Sequence, residues 1–117
     1  MSNVKNKKWF LLQEWVAEQL KEIDPRARST KASGACGESG DVKNKCDLNI
    51  ECKCYQTRSP WNEEWLEKCE KEIPLHSNKI AIVVTENKNG KRRVHLNAKD
   101  FFKIYKEWYK VFYQGIL

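Results

Sequence analysis

The sequence predicts an α+β domain, a small mixed central β-sheet flanked by helices, and three observations carry that reading. Three separate segments space their apolar side chains at three or four residues, the period of an α-helix. The run 79–85, KIAIVVT, is β-branched and almost wholly apolar, as a strand covered on both faces should be. The run 48–55 alternates, with Leu48, Ile50, Cys52 and Cys54 on one face and Asn49, Glu51, Lys53 and Tyr55 on the other.

In 8–23, Trp9, Leu12, Val16, Leu20 and Ile23 form one stripe. Asp24-Pro25 ends that helix, since proline cannot continue it. The Gly-, Ser- and Arg-rich stretch 26–40 reads as a loop with a short extended piece near Arg28. Residues 41–43 begin a short strand, Asn44-Lys45-Cys46-Asp47 supplies turn chemistry, and 48–55 completes a hairpin. Ser59-Pro60 opens a second helix with proline in its first turn. Trp61, Trp65, Leu66, Cys69 and Ile73 line its apolar side, and Pro74 stops it. The 79–85 strand should be central. Residues 86–90 then turn the chain with an Asn-Gly signal, and 91–96, KRRVHL, make a more polar strand near an edge. Asn97 caps the last helix, with Asp100 at its third position. In that helix Phe101, Ile104, Tyr105, Trp108 and Phe112 form an aromatic stripe, read as core first and as a partner surface second.

The 117 residues suffice for one domain with one core, so 1–117 reads as a single unit. Charged residues at 32% and apolar residues at 40% are an ordinary globular balance. No apolar run approaches the roughly 20 residues that span a bilayer, so no membrane is expected. The basic start is followed by an apolar patch that Gln13 and Glu14 interrupt, which argues against a signal peptide and for a cytoplasmic location. The net charge of +6 favours polyanions, nucleic acid first. Cysteines stand at 36, 46, 52, 54 and 69. Their odd number and the missing secretion signal argue against a disulfide framework, and their spacing is not that of paired zinc ligands. Cys52 and Cys54 read as small core residues.

The chemistry concentrates in 40–56, GDVKNKCDLNIECKCYQ. Period two places Glu51 and Lys53 on one strand face, with Cys52 pointing inward between them. If 41–43 pairs with 48–55, Asp41 approaches Glu51. Two carboxylates on one sheet surface repel unless a cation lies between them, and oxygen ligands suit Mg²⁺ or Mn²⁺. The Cys52 backbone carbonyl, next to Glu51, is a further oxygen. Mg²⁺ keeps several waters, one of which can attack. Lys53 would orient or deprotonate that water, or stabilise charge at a scissile phosphate. An E-x-K pair also forms a plain solvated ion pair worth under about 1 kcal/mol. Three features of the context favour metal-dependent phosphodiester hydrolysis: glycine before Asp41, an apolar reverse face on the 48–55 strand, and a basic Ser/Gly/Arg loop leading in.

FLLQEWVA at 10–17, RSTKASG at 28–34, GDV at 40–42 and LNIECK at 48–53 together resemble the PD-(D/E)xK nuclease superfamily. Within it the chain is most similar to Holliday-junction-resolvase-like endonucleases, including small phage proteins. The motifs cover about the first half; the second half is similar only in its order of elements. The resemblance implies a restriction-endonuclease-like αβββαβ core, metal binding by Asp41 and Glu51, and Lys53 as the catalytic lysine. It also implies an acidic residue from the first helix. The position here is Gln13, at the edge of the apolar stripe, a neutral ligand through its side-chain oxygen; Glu14 and Glu18 fall toward solvent, and Glu14 is the alternative if the helix is rotated. The 28–34 segment is expected to touch the DNA backbone, with charge from Arg28 and Lys31 and hydroxyl donors from Ser29, Thr30 and Ser33. Gln56 is a lesser candidate near the metal.

The aromatic residues exceed what so small a monomer readily hides, so a homodimer is expected. The resemblance points the same way, because two matched cuts resolve a four-way junction. His76 and His95 have no partner motif and read as surface or strand residues. Trp61, Trp65 and Tyr55 are core or interface residues that can also stack on unpaired bases. The leading expectation is a Mg²⁺-dependent endonuclease resolving Holliday junctions or other branched DNA in a bacterial or phage-infected cell. The alternatives are a restriction-, repair- or packaging-associated nuclease on flap, nicked or duplex DNA, and a non-catalytic basic DNA-binding protein on the same scaffold.

Overall fold

The computed structural model describes residues 4–30, 40–55 and 61–115, with backbone alone over 4–8. The elements run α1 (Val4–Leu20), β1 (Arg28–Ser29), β2 (Val42–Lys43), β3 (Leu48–Cys54), α2 (Glu63–Lys71), β4 (Ile80–Glu86), β5 (Arg92–His95) and α3 (Ala98–Gln114). β3, β4 and β5 form a mixed sheet in that order, β3 parallel and β5 antiparallel to the central β4. The parallel pair requires a crossover, and α2 supplies it.

β4 is apolar on both faces because both are covered. On one face Ile82 and Val84, with Ile50 and Cys52 of β3, pack against Leu12, Val16 and Ala17 of α1. On the other, Ala81 and Val83 pack against Leu66 and Cys69 of α2. Leu12 and Ile50 are sealed from solvent. Each such side chain contributes roughly 1.5–3 kcal/mol of burial free energy.

Local signals place most boundaries. Asn62 caps α2, its side chain accepting from the Glu64 N–H, and Glu63 and Glu64 lie in the first turn. That placement replaces the expected Ser59-Pro60 opening, which falls outside the described residues. Asn97 caps α3 by accepting from the Lys99 N–H, and Gly115 ends it in the left-handed region at φ 66°. The β4–β5 turn closes with Gly90 at φ 80° and its N–H donating to Asn87 O. α1 stops at Leu20, short of the expected 23, and Ile23 is left exposed.

Two expectations need correction. The 41–43 strand does not form a hairpin ladder with 48–55. β2 pairs antiparallel with β1, Arg28 opposite Lys43 and Ser29 opposite Val42, in a separate two-stranded sheet. It meets β3 through Asp41 alone, whose N–H donates to Ile50 O at 2.7 Å. The aromatic stripe of α3 is likewise not core. None of its residues is buried, and Phe101, Ile104, Tyr105, Trp108 and Phe112 are 44–68% exposed. Among the described residues no helix is long and apolar enough to cross a membrane.

Gly40 allows the close approach of 40–41 to β3. Its φ is +80°, and a Cβ there would lie 2.8 Å from Asn49 Oδ1 and 3.1 Å from Ile50 O. Gly40→Ala is expected to cost about 1–3 kcal/mol of stability, a fall in Tm on the order of 5–15 °C by thermal denaturation. An unchanged Tm would show that the left-handed turn is not needed there.

Candidate functional site

The site is built on the edge of β3 that β4 leaves open. Successive residues of a strand direct their backbone groups to alternate edges, so Ile50 and Cys52 face away from β4. Ile50 O accepts the Asp41 N–H, and the Cys52 N–H donates to Asp41 Oδ2 at 2.7 Å. One carboxylate oxygen therefore takes the place of a strand carbonyl. Thr30 locks the segment from behind. Its N–H donates to Asp41 O at 2.9 Å, and its hydroxyl to Gly40 O at 3.2 Å. Asp41 is buried completely. The Cys52 carbonyl leaves on the same edge as its N–H, toward Asp41.

Glu51, between those two residues, projects onto the α2 face. Its side chain is 13% exposed, and Lys53 Nζ stands 3.5 Å from Oε1. Lys53 also lies 5.9 Å above the Trp65 ring, a cation–π contact that orients the ammonium. Burial raises the Glu51 pKa above the ordinary carboxylate value. The Asp41 charge raises it further and Glu72 adds to this, while Lys53 and Lys68 pull it down. Asp41, Glu51 and Lys53 thus share one electrostatic neighbourhood.

Gln13 is sealed from solvent, and neither Oε1 nor Nε2 has a hydrogen-bond partner. Four residues before the buried Ala17, it lies on the side of α1 that packs on β3. An unsatisfied buried amide costs about 1–3 kcal/mol, and such a group calls for a bound ion or water. Glu14 turns differently from the expected solvent direction: it is half-buried and accepts from Ser29 Oγ at 3.4 Å. Ser29 is itself buried, so its hydroxyl serves this contact, whereas Arg28 is exposed. Lys31, Ser33 and Gln56 lie outside the described residues.

These groups fit a hard divalent cation. Two repelling carboxylates, a backbone oxygen and an orphaned amide oxygen are the donor chemistry Mg²⁺ takes, with water completing the shell. Among the described residues no three His, Cys, Asp or Glu side chains cluster to hold an ion. A metal at Asp41 and Glu51 would therefore draw its other ligands from carbonyl, amide and water. Thiolate chemistry does not compete. Burial drives the Cys52 thiol far above its ordinary value and pushes Cys69 up to about 12.

Several contributors escape a reading by sequence. Asn49, on the same face as Glu51, donates to Cys69 O at 2.8 Å and to Glu72 Oε1 at 3.2 Å, tying the end of α2 to the site. Lys68 and Glu72 share a helix face at i,i+4, the one available signal for them. His95 is half-buried on β5. It stacks on Trp61 at 4.0 Å and shares a 2.9 Å hydrogen bond with Thr85 Oγ1. Burial first, and then Arg93, lowers its pKa.

Comparison with protein-family models, with curated proteins and with solved structures returned no match.

The raised pKa of Glu51 has a definite sign. Its protonated form favours the fold, and its ionised form at neutral pH opposes it. Glu51→Gln should therefore raise Tm near neutral pH by roughly a few degrees. The gain should vanish as the pH falls through the folded-state pKa, because the wild-type carboxyl is then neutral as well. Paired thermal melts at about pH 4 and pH 8 check this; a difference independent of pH contradicts it.

Proposed function

We propose that this chain is a divalent-metal-dependent endodeoxyribonuclease with a restriction-endonuclease-like core, acting on branched DNA and above all on four-way junctions. The observation that carries the reading is the convergence at the β3 edge. Asp41 is bonded to the Cys52 N–H, Glu51 adjoins it and senses its charge, and Lys53 lies 3.5 Å from Glu51. The element order α1-β1-β2-β3-α2-β4 agrees with the αβββαβ core implied by the resemblance. The net charge of +6 suits a polyanionic substrate.

Asp41 and Glu51 would hold Mg²⁺ or Mn²⁺ through carboxylate oxygens, with the Cys52 carbonyl and Gln13 Oε1 as further donors. When bound, the ion supplies a water of lowered pKa and Lewis-acid stabilisation of the phosphate. Lys53 contributes a positive charge beside the carboxylates, placed to steady the attacking water or the charge that develops on phosphorus. The Glu51 and Trp65 contacts restrict its ammonium. Exposed Arg28, at the β1–β2 end, is a phosphate-backbone contact in this reading, together with the loop that follows it.

A second reading follows from Gln13. A neutral residue stands where the resemblance implies an acid, which favours a DNA-binding scaffold without cleavage. Calorimetry separates the two: the nuclease reading requires Mg²⁺ or Mn²⁺ heat with the wild type and loss of it with Asp41→Asn.

The direct test uses a labelled four-way junction against flap, nicked and linear DNA, with and without Mg²⁺. Cleavage should need the metal and be greatest on the junction. Asp41→Asn, Glu51→Gln and Lys53→Ala should each lower it by about 100-fold or more, while junction binding stays within a few-fold. Variants that cut like the wild type would refute the assignment of the site. Preference for flaps or duplex would shift the substrate to a repair, restriction or packaging context.

A further inference from the structure

The aromatic face of α3 and a smaller apolar patch on the body are both uncovered in a single chain. At 100° per residue the apolar side chains of α3 fill an arc of about 200°. Phe101, Ile104, Trp108 and Val111 follow a three-four-three spacing along its middle, and Tyr105 and Phe112 flank them. All six are 44–68% exposed. With aromatic side chains at roughly 150–250 Å² each, the helix exposes on the order of 1,000 Å² of largely apolar surface. That exceeds the few hundred Å² an isolated soluble chain usually shows. It matches the roughly 800 Å² per partner of a standard interface.

The second patch lies where α1 crosses β5. Leu11 and Trp15, one turn apart, are 52% and 39% exposed, and Val94 of β5 is 55% exposed. Arg92 binds the group together, its guanidinium 4.6 Å above the Trp15 ring. It lies two residues before Val94, on the same strand face.

We propose that the chain forms a reciprocal homodimer, in which α3 of each copy lies across the Leu11–Trp15–Val94 patch of the other. A twofold exchange covers both patches on both copies in one association, because each copy brings the helix and the receiving surface. Charge agrees with this arrangement. Asp100 and Glu107 border the apolar arc beside Ile104 and Val111, and Arg92 borders the receiving patch. Lys99, Lys103, Lys106 and Lys110 lie opposite the arc and stay in water. A bilayer surface is a poorer occupant, since those lysines do not flank the apolar arc and carboxylates do. The dimer requires nothing of the Asp41–Glu51 chemistry.

The test is sedimentation equilibrium on the full chain over about 1–100 µM, with the nuclease assay run in parallel. The wild type should show twice the monomer mass of 13.8 kDa. Trp108→Glu combined with Phe112→Glu, and separately Trp15→Glu, should each weaken association at least about 30-fold. These side chains are exposed in the single chain, so circular dichroism and Tm at low concentration should change little. A monomeric wild type at 100 µM would overturn the proposal. So would a Trp15→Glu variant that dimerises like the wild type, which would indicate α3–α3 pairing alone. Flotation of a monomeric wild type with phosphatidylglycerol vesicles would assign the face to lipid instead and equally overturn it.

Discussion

The hydrogen bond from the Cys52 N–H to Asp41 Oδ2, 2.7 Å long, is the constraint on which the site depends. A free strand edge presents unpaired donors and acceptors. Here the edge of β3 is met by a residue that supplies both complements, its own N–H to Ile50 O and a carboxylate oxygen to the Cys52 N–H. A charge-assisted bond of this kind is roughly twice as strong as a neutral one. It joins the small β1–β2 sheet to the main sheet and sets a buried carboxylate beside Glu51. Neither of the two-residue strands has ladder enough to hold that geometry by itself.

The two faces of the sheet divide the labour between stability and chemistry. The α1 face is apolar, apart from the Gln13 amide among its packing residues. The α2 face carries a mixed row: Glu51 and Lys53 on β3, Thr85 on β4 and His95 on β5, with Trp61 and Trp65 over them. β4 makes the division possible, because its alternate side chains fill both layers. The polar row is anchored by partners rather than by bulk, as in the Asn49 bonds to α2 and the Thr85–His95 pair. A row of buried polar groups opposes folding unless satisfied, and the raised pKa of Glu51 records the part left unrelieved. α3 is a separate matter: it adds an apolar surface that the chain's own core does not use.

The elements legible in the sequence were those with a local cause. The period of α1, the β-branched run of β4, the Asn-Gly turn and the Asn97 cap each need only a few adjacent residues, and each forms where those residues place it. The alternation of β3 also located Glu51 and Lys53 on one face, and the angular argument put Gln13 on the packed side of α1. The pairing of β2 was not legible. Two residues carry no register, and the competing partner, β1, is itself only two residues long. Asn49, Lys68 and Glu72 stayed hidden because their relation to Glu51 runs through packing of α2 on the sheet, across about twenty residues of chain.

By itself the sequence determined which segments are helix and strand, which strand is central, and which residue types carry the chemistry. Periodicity, caps and turn residues act over short distances, so they are written in adjacent letters. Only the tertiary structure decided that Asp41 meets β3 by its carboxylate rather than through a hairpin, and that the aromatic face of α3 finds no cover within the chain. Both turn on which surfaces come together. Amphipathic pattern states that a face must be buried, and the arrangement of the whole chain decides against what.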